Sequence, residues 1–343
     1  MSKPLEKGEM KLNKNNTSQY YQLELVEFDD ERKTQRRLVI TDPESVEVVS
    51  KKSKEAYREQ KKREEMRLKD KRGPFVMGKN EPIKELESSG LTVVDRRYFM
   101  TLILFAQFNG EPLKEGNQKL NNKRIAELWN IHERAARKRL AKFVSIGLLE
   151  RIKNPNNGRE SNYILNELYF QKGTSHRKVS PGEKFVKIFQ NKLSEIIDSV
   201  EKINQVKNRN NKNGKVIDFT DVIGLLHAVI PYFHFETYYL VKNPDDSIIE
   251  GEESVLQALE RNPKALKHLP KTEIGRILGN KSADRRTIDK YMNILQEAGA
   301  VMVLRNKNKT RYIIHPDLMF RLDNDGCDPY TRHIRAMFDQ HNH

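Results

Sequence analysis

One spacing in this chain occurs twice, and it limits the folds open to the sequence more than any other feature. Counting back from Gly147, Phe143, Leu140 and Ala136 lie four, seven and eleven residues away, and counting back from Gly299, Leu295, Met292 and Ile288 occupy the same offsets. Residues at these separations share one face of an α-helix, and a glycine just past the last turn supplies the left-handed residue with which helices commonly end. Each set predicts a helix buried on one side and stopped by its glycine. His132 and Asp284 stand fifteen residues before the two glycines, where an N-cap belongs, and Asp284 is the better capping residue. A shorter helical pattern precedes each copy, in KRIAELW and KTEIGRIL. After each glycine come a strand, a polar basic turn and a return strand, in LLERIKNPNNGRESNYIL and VMVLRNKNKTRYII, with Tyr163 and Tyr312 at similar places in the return strands.

The composition narrows what such a chain meets. Lys and Arg total 63 against 48 for Asp and Glu, a net charge of +15, which favours a polyanionic partner. A single cysteine, Cys327, supplies neither an intrachain disulfide framework nor a cysteine-rich zinc site, and fits a reducing cytoplasm. The amino terminus, MSKPLEKGEMKLNKNN, lacks the apolar core of a signal peptide, and the most apolar run, Tyr98 to Phe108, is too short to span a bilayer. A soluble, cytoplasmic protein is expected, and 343 residues predict more than one domain.

Along the chain, YYQLELVEF and RRLVIT read as a hairpin, and Ser50 to Arg72 as a charged helical arm stopped at Gly73 and Pro74. TVVDRRYFMTLILFAQFNG predicts a buried helix capped by Asp95 and ended by Gly110. Gln171 to Gly182 has linker composition, and a long amphipathic helix is expected from Glu183 to about Lys207, with Phe185, Ile188, Phe189, Leu193, Ile196, Ile197 and Val200 on its apolar side. The expected organisation is a hairpin and arm over 1–80, a first domain over 85–170, a linker with the long helix over 171–216, a second domain over 217–325 and a tail over 326–343.

Helix, turn, helix, glycine and hairpin, met twice, resembles a tandem pair of winged helix-turn-helix domains, and the tandem together with VIPYFHFETYYLVKNPD resembles replication initiators of Gram-positive plasmids and phages. The resemblance implies a mainly α fold with small β-hairpins, an α+β class, with two winged-helix domains joined by a linker and a long helix. It also implies a second helix that enters the major groove, its exposed side offering donors to base edges. In the first copy those donors are Arg134, Arg137 and Lys138, beside Glu133; in the second they are Arg285, Arg286, Thr287 and Lys290, beside Asp289. Arginine can bridge the two acceptors of guanine, whereas lysine contributes mainly phosphate attraction. Wings reach phosphates or the minor groove, which assigns Lys153 and Arg159 in the first copy, and Arg305, Lys307, Lys309 and Arg311 in the second, to positioning contacts.

Catalytic readings are weaker. His234, Phe235 and Glu236, followed by Tyr239 and Lys242, resemble the metal-binding strand and tyrosine of rolling-circle nucleases, but the second histidine is a glutamate and all groups crowd into nine residues. GNKSADRRT lacks the glycine spacing of a phosphate-cradling loop, and His227, on an apolar helix, reads as a core histidine. The expectation is therefore a protein without catalytic activity, metal or cofactor that binds double-stranded DNA, initiating plasmid or phage replication at repeated origin sites. A second copy of the chain and host replication proteins are its further expected partners, with no membrane. The alternatives are a transcriptional regulator bound to operator DNA and a partition adaptor.

Overall fold

The computed structural model describes residues 21–28, 33–40, 52–55, 57–58, 61, 70–154, 157–173, 183–210, 218–279, 285–306, 309–322 and 325–341. The chain divides into two compact units, Met1–Lys69 and Asp70–His343. In the first, β1 (Tyr21–Phe28) and β2 (Lys33–Ile40) pair antiparallel from Tyr21 opposite Ile40 to Phe28 opposite Lys33. Helical backbone follows at 52–55, 57–58 and 61. The rest of the predicted arm up to residue 69 lies outside the described residues.

The second unit is a mixed α+β structure made of two related halves. The first half runs through β3 (Phe75–Lys79), α1 (Asn80–Glu85), α2 (Val93–Ile103), β4 (Lys114–Glu115), β5 (Gln118–Lys119), α3 (Asn122–Leu128), α4 (Glu133–Ser145), β6 (Leu149–Asn154), β7 (Asn157–Leu165) and β8 (Phe170–Gln171). The second runs through β9 (Phe185–Phe189), α5 (Gln190–Arg209), α6 (Val222–Val229), α7 (Val255–Arg261), α8 (Lys271–Ile277), α9 (Arg285–Glu297), β10 (Val301–Asn306), β11 (Lys309–Ile314) and β12 (Met319–Phe320), and α10 (Pro329–His341) follows.

The halves meet in a four-stranded antiparallel sheet of order β12-β9-β3-β8. At its centre β3 and β9 pair with Phe75 opposite Phe189, Met77 opposite Lys187 and Lys79 opposite Phe185, and both strands bury Val76 and Val186, and then their last two residues, in the same order. The hydrogen bonds repeat with them. Asn80 N–H donates to Lys184 O at 3.0 Å and Gln190 N–H to Pro74 O at 2.9 Å; Lys79 N–H donates to Tyr169 O at 2.9 Å and Phe189 N–H to Leu318 O at 3.1 Å. Further out, Leu113 N–H reaches Tyr163 O at 2.8 Å and Leu240 N–H reaches Tyr312 O at 2.9 Å, while Leu120 and Leu269 donate back to Leu113 and Leu240. The duplication read in the helix and hairpin thus extends to a strand, a helix and a closing strand on either side, arranged about a local two-fold axis through the pairing of Met77 with Lys187.

The amphipathic pattern that starts at Glu183 is accordingly a strand followed by a helix. Phe185, Ile188 and Phe189 fit a helical face, but Val186 and Ile188 are fully buried two apart, the period of a strand, and the helix begins only at Gln190. Asp95 is not the cap of α2. Thr92 takes that role, accepting from Asp95 N–H while the Asp95 carboxylate accepts from Thr92 N–H, a capping box. The helix stops at Ile103, short of Gly110, where Phe105 and Ala106 turn back onto Leu102 and Ile103, and Asn109 is left-handed at φ 56°.

The second contact between the halves is the crossing of α2 and α6. A Cβ on Gly224 would lie 2.0 Å from Val93 O and 3.0 Å from Arg97 N, so the helices approach backbone to backbone. Beside this point the fully buried Arg96 donates to His227 Nδ1 at 2.9 Å and to Leu86 O at 3.1 Å. Because arginine only donates, Nδ1 of His227 is the acceptor and the ring is neutral. Burial pushes His227 well below the usual histidine range, with Arg96 adding to it, and lowers Arg96 itself to about 10. His227 is thus a core histidine.

A continuous apolar core runs through both halves from Val76 to Phe338. The segment 326–343, expected as a tail, instead carries α10, whose Tyr330, Ile334 and Phe338 enter this core. In the second half an excursion between Leu240 and Leu269 carries α7 and a small core of its own around Val241, Ile248, Ala258 and Leu266.

Gly224→Ala is expected to destabilise the protein by about 2–3 kcal/mol, because the new methyl meets main chain that cannot swing away. Urea denaturation checks this, and an unchanged midpoint would mean that the crossing is looser than described.

Candidate nucleic-acid interface

The helix pairs α3–α4 and α8–α9 are built by the same local chemistry. In α4, Ala136, Leu140 and Phe143 are fully buried; in α9, Ile288, Met292 and Leu295 are at most 1% exposed. Each helix then closes in the same way: Gly147 and Gly299, at φ 79° and 75°, donate to Val144 O and Gln296 O, while Leu148 and Ala300 donate to Phe143 O and Leu295 O. This is the paired 5→2 and 6→1 bonding for which a glycine is suited. His132 caps α4 by accepting from Arg134 N–H at 3.2 Å, and Asp284 lies outside the described residues. The hairpins β6–β7 and β10–β11 pair Arg151 with Tyr163 and Val303 with Tyr312.

The outward faces carry the predicted cations, though not all alike. On α4, Arg134, Arg137 and Lys138 are exposed, with Arg137 paired to Glu133 at 2.5 Å. Two further basic residues of the same helix are turned inward onto α2: Arg139 and Lys142 hold Asp95 at 2.6 and 2.7 Å, and Lys142 also donates to Gly90 O at 2.9 Å. They act as struts between α2 and α4. On α9, Arg285, Arg286 and Lys290 are exposed and Thr287 is half-buried; Lys290 lies over the Phe219 ring at 4.3 Å, and Asp289 pairs with Lys271 at 2.6 Å. In the hairpins Lys153, Arg305 and Lys309 are exposed and Arg311 is half-buried, with Arg305 donating to Asn293 at 2.8 Å. Lys307 and the side chain of Arg159 lie outside the described residues.

Where α8, the start of α9 and β11 converge, the structure forms an open cleft of about 530 Å³. It brings together Arg285, Lys309 and Arg311, which were read from the sequence, with His268, Lys271 and Thr272, which were not. Burial, then Arg311 and Lys309, lower His268 to about 4, leaving its imidazole neutral at pH 7. Of these three, His268 lies in the turn before α8, and Lys271 and Thr272 are the first two residues of that helix, to which the sequence reading assigned no contact. The one sequence signal available was the equivalence of KTEIGRIL with NKRIAEL, which places Lys271 at the head of α8.

The residues that resembled a nuclease strand do other work. His234 is buried, with Nε2 at 2.9 Å from Asp246 O and Nδ1 accepting from Glu236 N–H at 3.2 Å. The Glu236 carboxylate accepts from Ser247 Oγ and Ile248 N–H at 2.7 and 2.9 Å, so both side chains fasten the loop that precedes α7. Among the described residues, no group of three His, Cys, Asp or Glu side chains is placed to hold a metal ion, and no helix is long and apolar enough to cross a membrane.

Asp95 gives a pH prediction. Burial pushes its carboxyl up, but Lys142, Thr92 and the neighbouring charge outweigh it, so the folded pKa lies below the ordinary 3.8. A depressed folded pKa stabilises the fold above that ordinary value, and the contribution is lost as pH falls through the folded pKa. Stability of the wild type should therefore fall below about pH 3.8, and that of Asp95→Asn should fall less steeply there, in urea titrations compared from pH 6 to pH 2.5. Parallel slopes would remove Asp95 from the acid response.

Compared with known proteins, the chain matches no family model, no curated protein and no solved structure.

Proposed function

We propose that this protein binds double-stranded DNA sequence-specifically through two winged-helix units, with α4 and α9 as the helices that enter the major groove, and that it initiates replication of a plasmid or phage. One observation carries the reading: the unit of two helices and a hairpin occurs twice, held on a buried face by the same capping, and presents arginines on the opposite face each time. An α-helix fits the major groove, and a basic outer face supplies both bidentate donors for guanine and salt-dependent attraction to phosphate.

The local two-fold axis adds a geometric consequence. If the axis coincides with a dyad of the DNA, the two units meet it in opposite orientations, so one chain would read a bipartite site whose halves are inverted in orientation and different in sequence, because the exposed residues of α4 and α9 differ. An origin with several such sites would load several chains, and a second copy of the chain and host replication proteins are the partners this role requires.

The test is selection of bound fragments from a library containing the gene's own replicon, with footprinting of the winners at physiological salt. Clustered repeats near the gene support an initiator, isolated promoter sites support an operator-binding regulator, and no enrichment overturns DNA binding. On a selected site Arg286→Ala should lose about 1–3 kcal/mol of discrimination between cognate and scrambled duplexes. If both affinities fall equally, Arg286 meets phosphate rather than a base.

A further inference from the structure

The two halves share a backbone plan, so the residues at equivalent positions can be compared directly. α9 and α4 are both thirteen residues long and begin at Arg285 and Glu133; α8 and α3 are both seven residues long and begin at Lys271 and Asn122. Tyr312 and Tyr163 accept the equivalent N–H groups of Leu240 and Leu113, which aligns Lys309 with Glu160 and Arg311 with Asn162. Leu269 and Leu120 likewise align His268 with Lys119, and Thr272 follows as the counterpart of Lys123. The cleft of the second half therefore gathers four cations and a neutral imidazole, and none of its described lining residues is acidic. At the same positions the first half has two lysines and two glutamates.

We infer that the cleft between α8, α9 and β11 is a phosphate-binding site, and that the first half lacks its counterpart. The inference rests on the DNA-binding reading for the identity of the ligand, a backbone phosphodiester, and on the cleft alone for its chemistry. Its arms are Arg285 from the head of α9, Lys309 and Arg311 from β11 and Lys271 from α8, with the hydroxyls of Thr272 and Thr310 as further donors at the wall. Among the described residues only Lys271 of the four cations is paired with a carboxylate, Asp289. A volume of about 530 Å³ exceeds what one phosphate needs, and admits a phosphate with its adjoining sugar. Arginine forks from two elements suit the planar pairs of oxygens that a phosphate presents. The chain thus holds DNA by its second half, while the first half reads with little grip on the backbone.

The test exchanges the charges between halves. Arg285→Glu with Lys309→Glu installs residues that the first half already carries at those places in the same fold. On a scrambled duplex this double variant should lose tenfold or more in affinity near 0.15 M salt and flatten the log–log salt slope by about 2, whereas Lys119→Ala with Lys123→Ala should barely move it. The second readout uses inorganic phosphate and the imidazole NMR signals of His268 in the full chain: titration should shift them and raise the ring's pKa in the wild type but not in the double variant. If no duplex binds but phosphate still moves His268, the DNA reading fails and the cleft stands as a site for free phosphate. If duplexes bind with the same slope in wild type and double variant, and phosphate leaves His268 unmoved, the DNA reading stands and this inference is overturned.

Discussion

The pairing of β3 with β9 is the constraint on which the rest of the second unit depends. Five residues on each strand exchange hydrogen bonds about Met77 and Lys187, and the closing strands β8 and β12 can add only to the outer edges that this pairing leaves. Each helix-and-hairpin unit hangs from its own closing strand, so the register of the central pair sets where both units stand. The crossing at Gly224 then removes the remaining freedom, because helices in main-chain contact cannot slide without opening a gap. A buried arginine is costly at such a seam, and Arg96 is accommodated by a carbonyl and by a histidine that stays neutral to accept from it.

Symmetry of the main chain is not carried over to the surface. The loop joining Leu113 to Leu120 is a minimal turn between β4 and β5, whereas the matching connection from Leu240 to Leu269 carries α7 and its own small core. The helix α4 spends two of its basic side chains on Asp95, which closes it against α2. In α9 acids make the ties instead, Asp289 to Lys271 and Glu297 to Lys207. Identical folding demands, met by different residues, leave different side chains on the two outer faces.

What could be read from the sequence follows the length of each signal. The faces of α4 and α9 span three turns, and the glycines that end them have no cheap substitute at φ near 75–79°, so the duplication showed in the letters. The strands β3 and β9 have five residues each, too few for period two to stand out, and Phe185, Ile188 and Phe189 also satisfy the helical period of the α5 segment that follows. The cap of α2 lies three residues before the one the sequence suggests, because both partners of a capping box are capping residue types. Only the partner decides whether a cation becomes a strut: nothing in ERAARKRLAKF marks Arg139 and Lys142 as the ones that Asp95 claims from 44 and 47 residues away.

The same limit explains why the cleft was invisible before folding. Its walls come from three stretches of chain, and its character lies in what is missing, a carboxylate among the described lining residues. The behaviour of His268 is an internal gauge of that character. Burial makes a charged imidazole unfavourable, and Arg311 and Lys309 add repulsion to it. An anion entering the same space meets those interactions with the sign reversed, and it need not be buried to do so because the cleft is open to water. Burial does most to keep His268 neutral, but the cations that add to it are the ones a phosphate would meet, and a ligand of that charge would make protonation of His268 easier. Net charge spread over the whole chain would steer a polyanion towards the protein, but it would not favour one half over the other. Only a local concentration of cations, fixed by the fold at the junction of helix and hairpin, can do that.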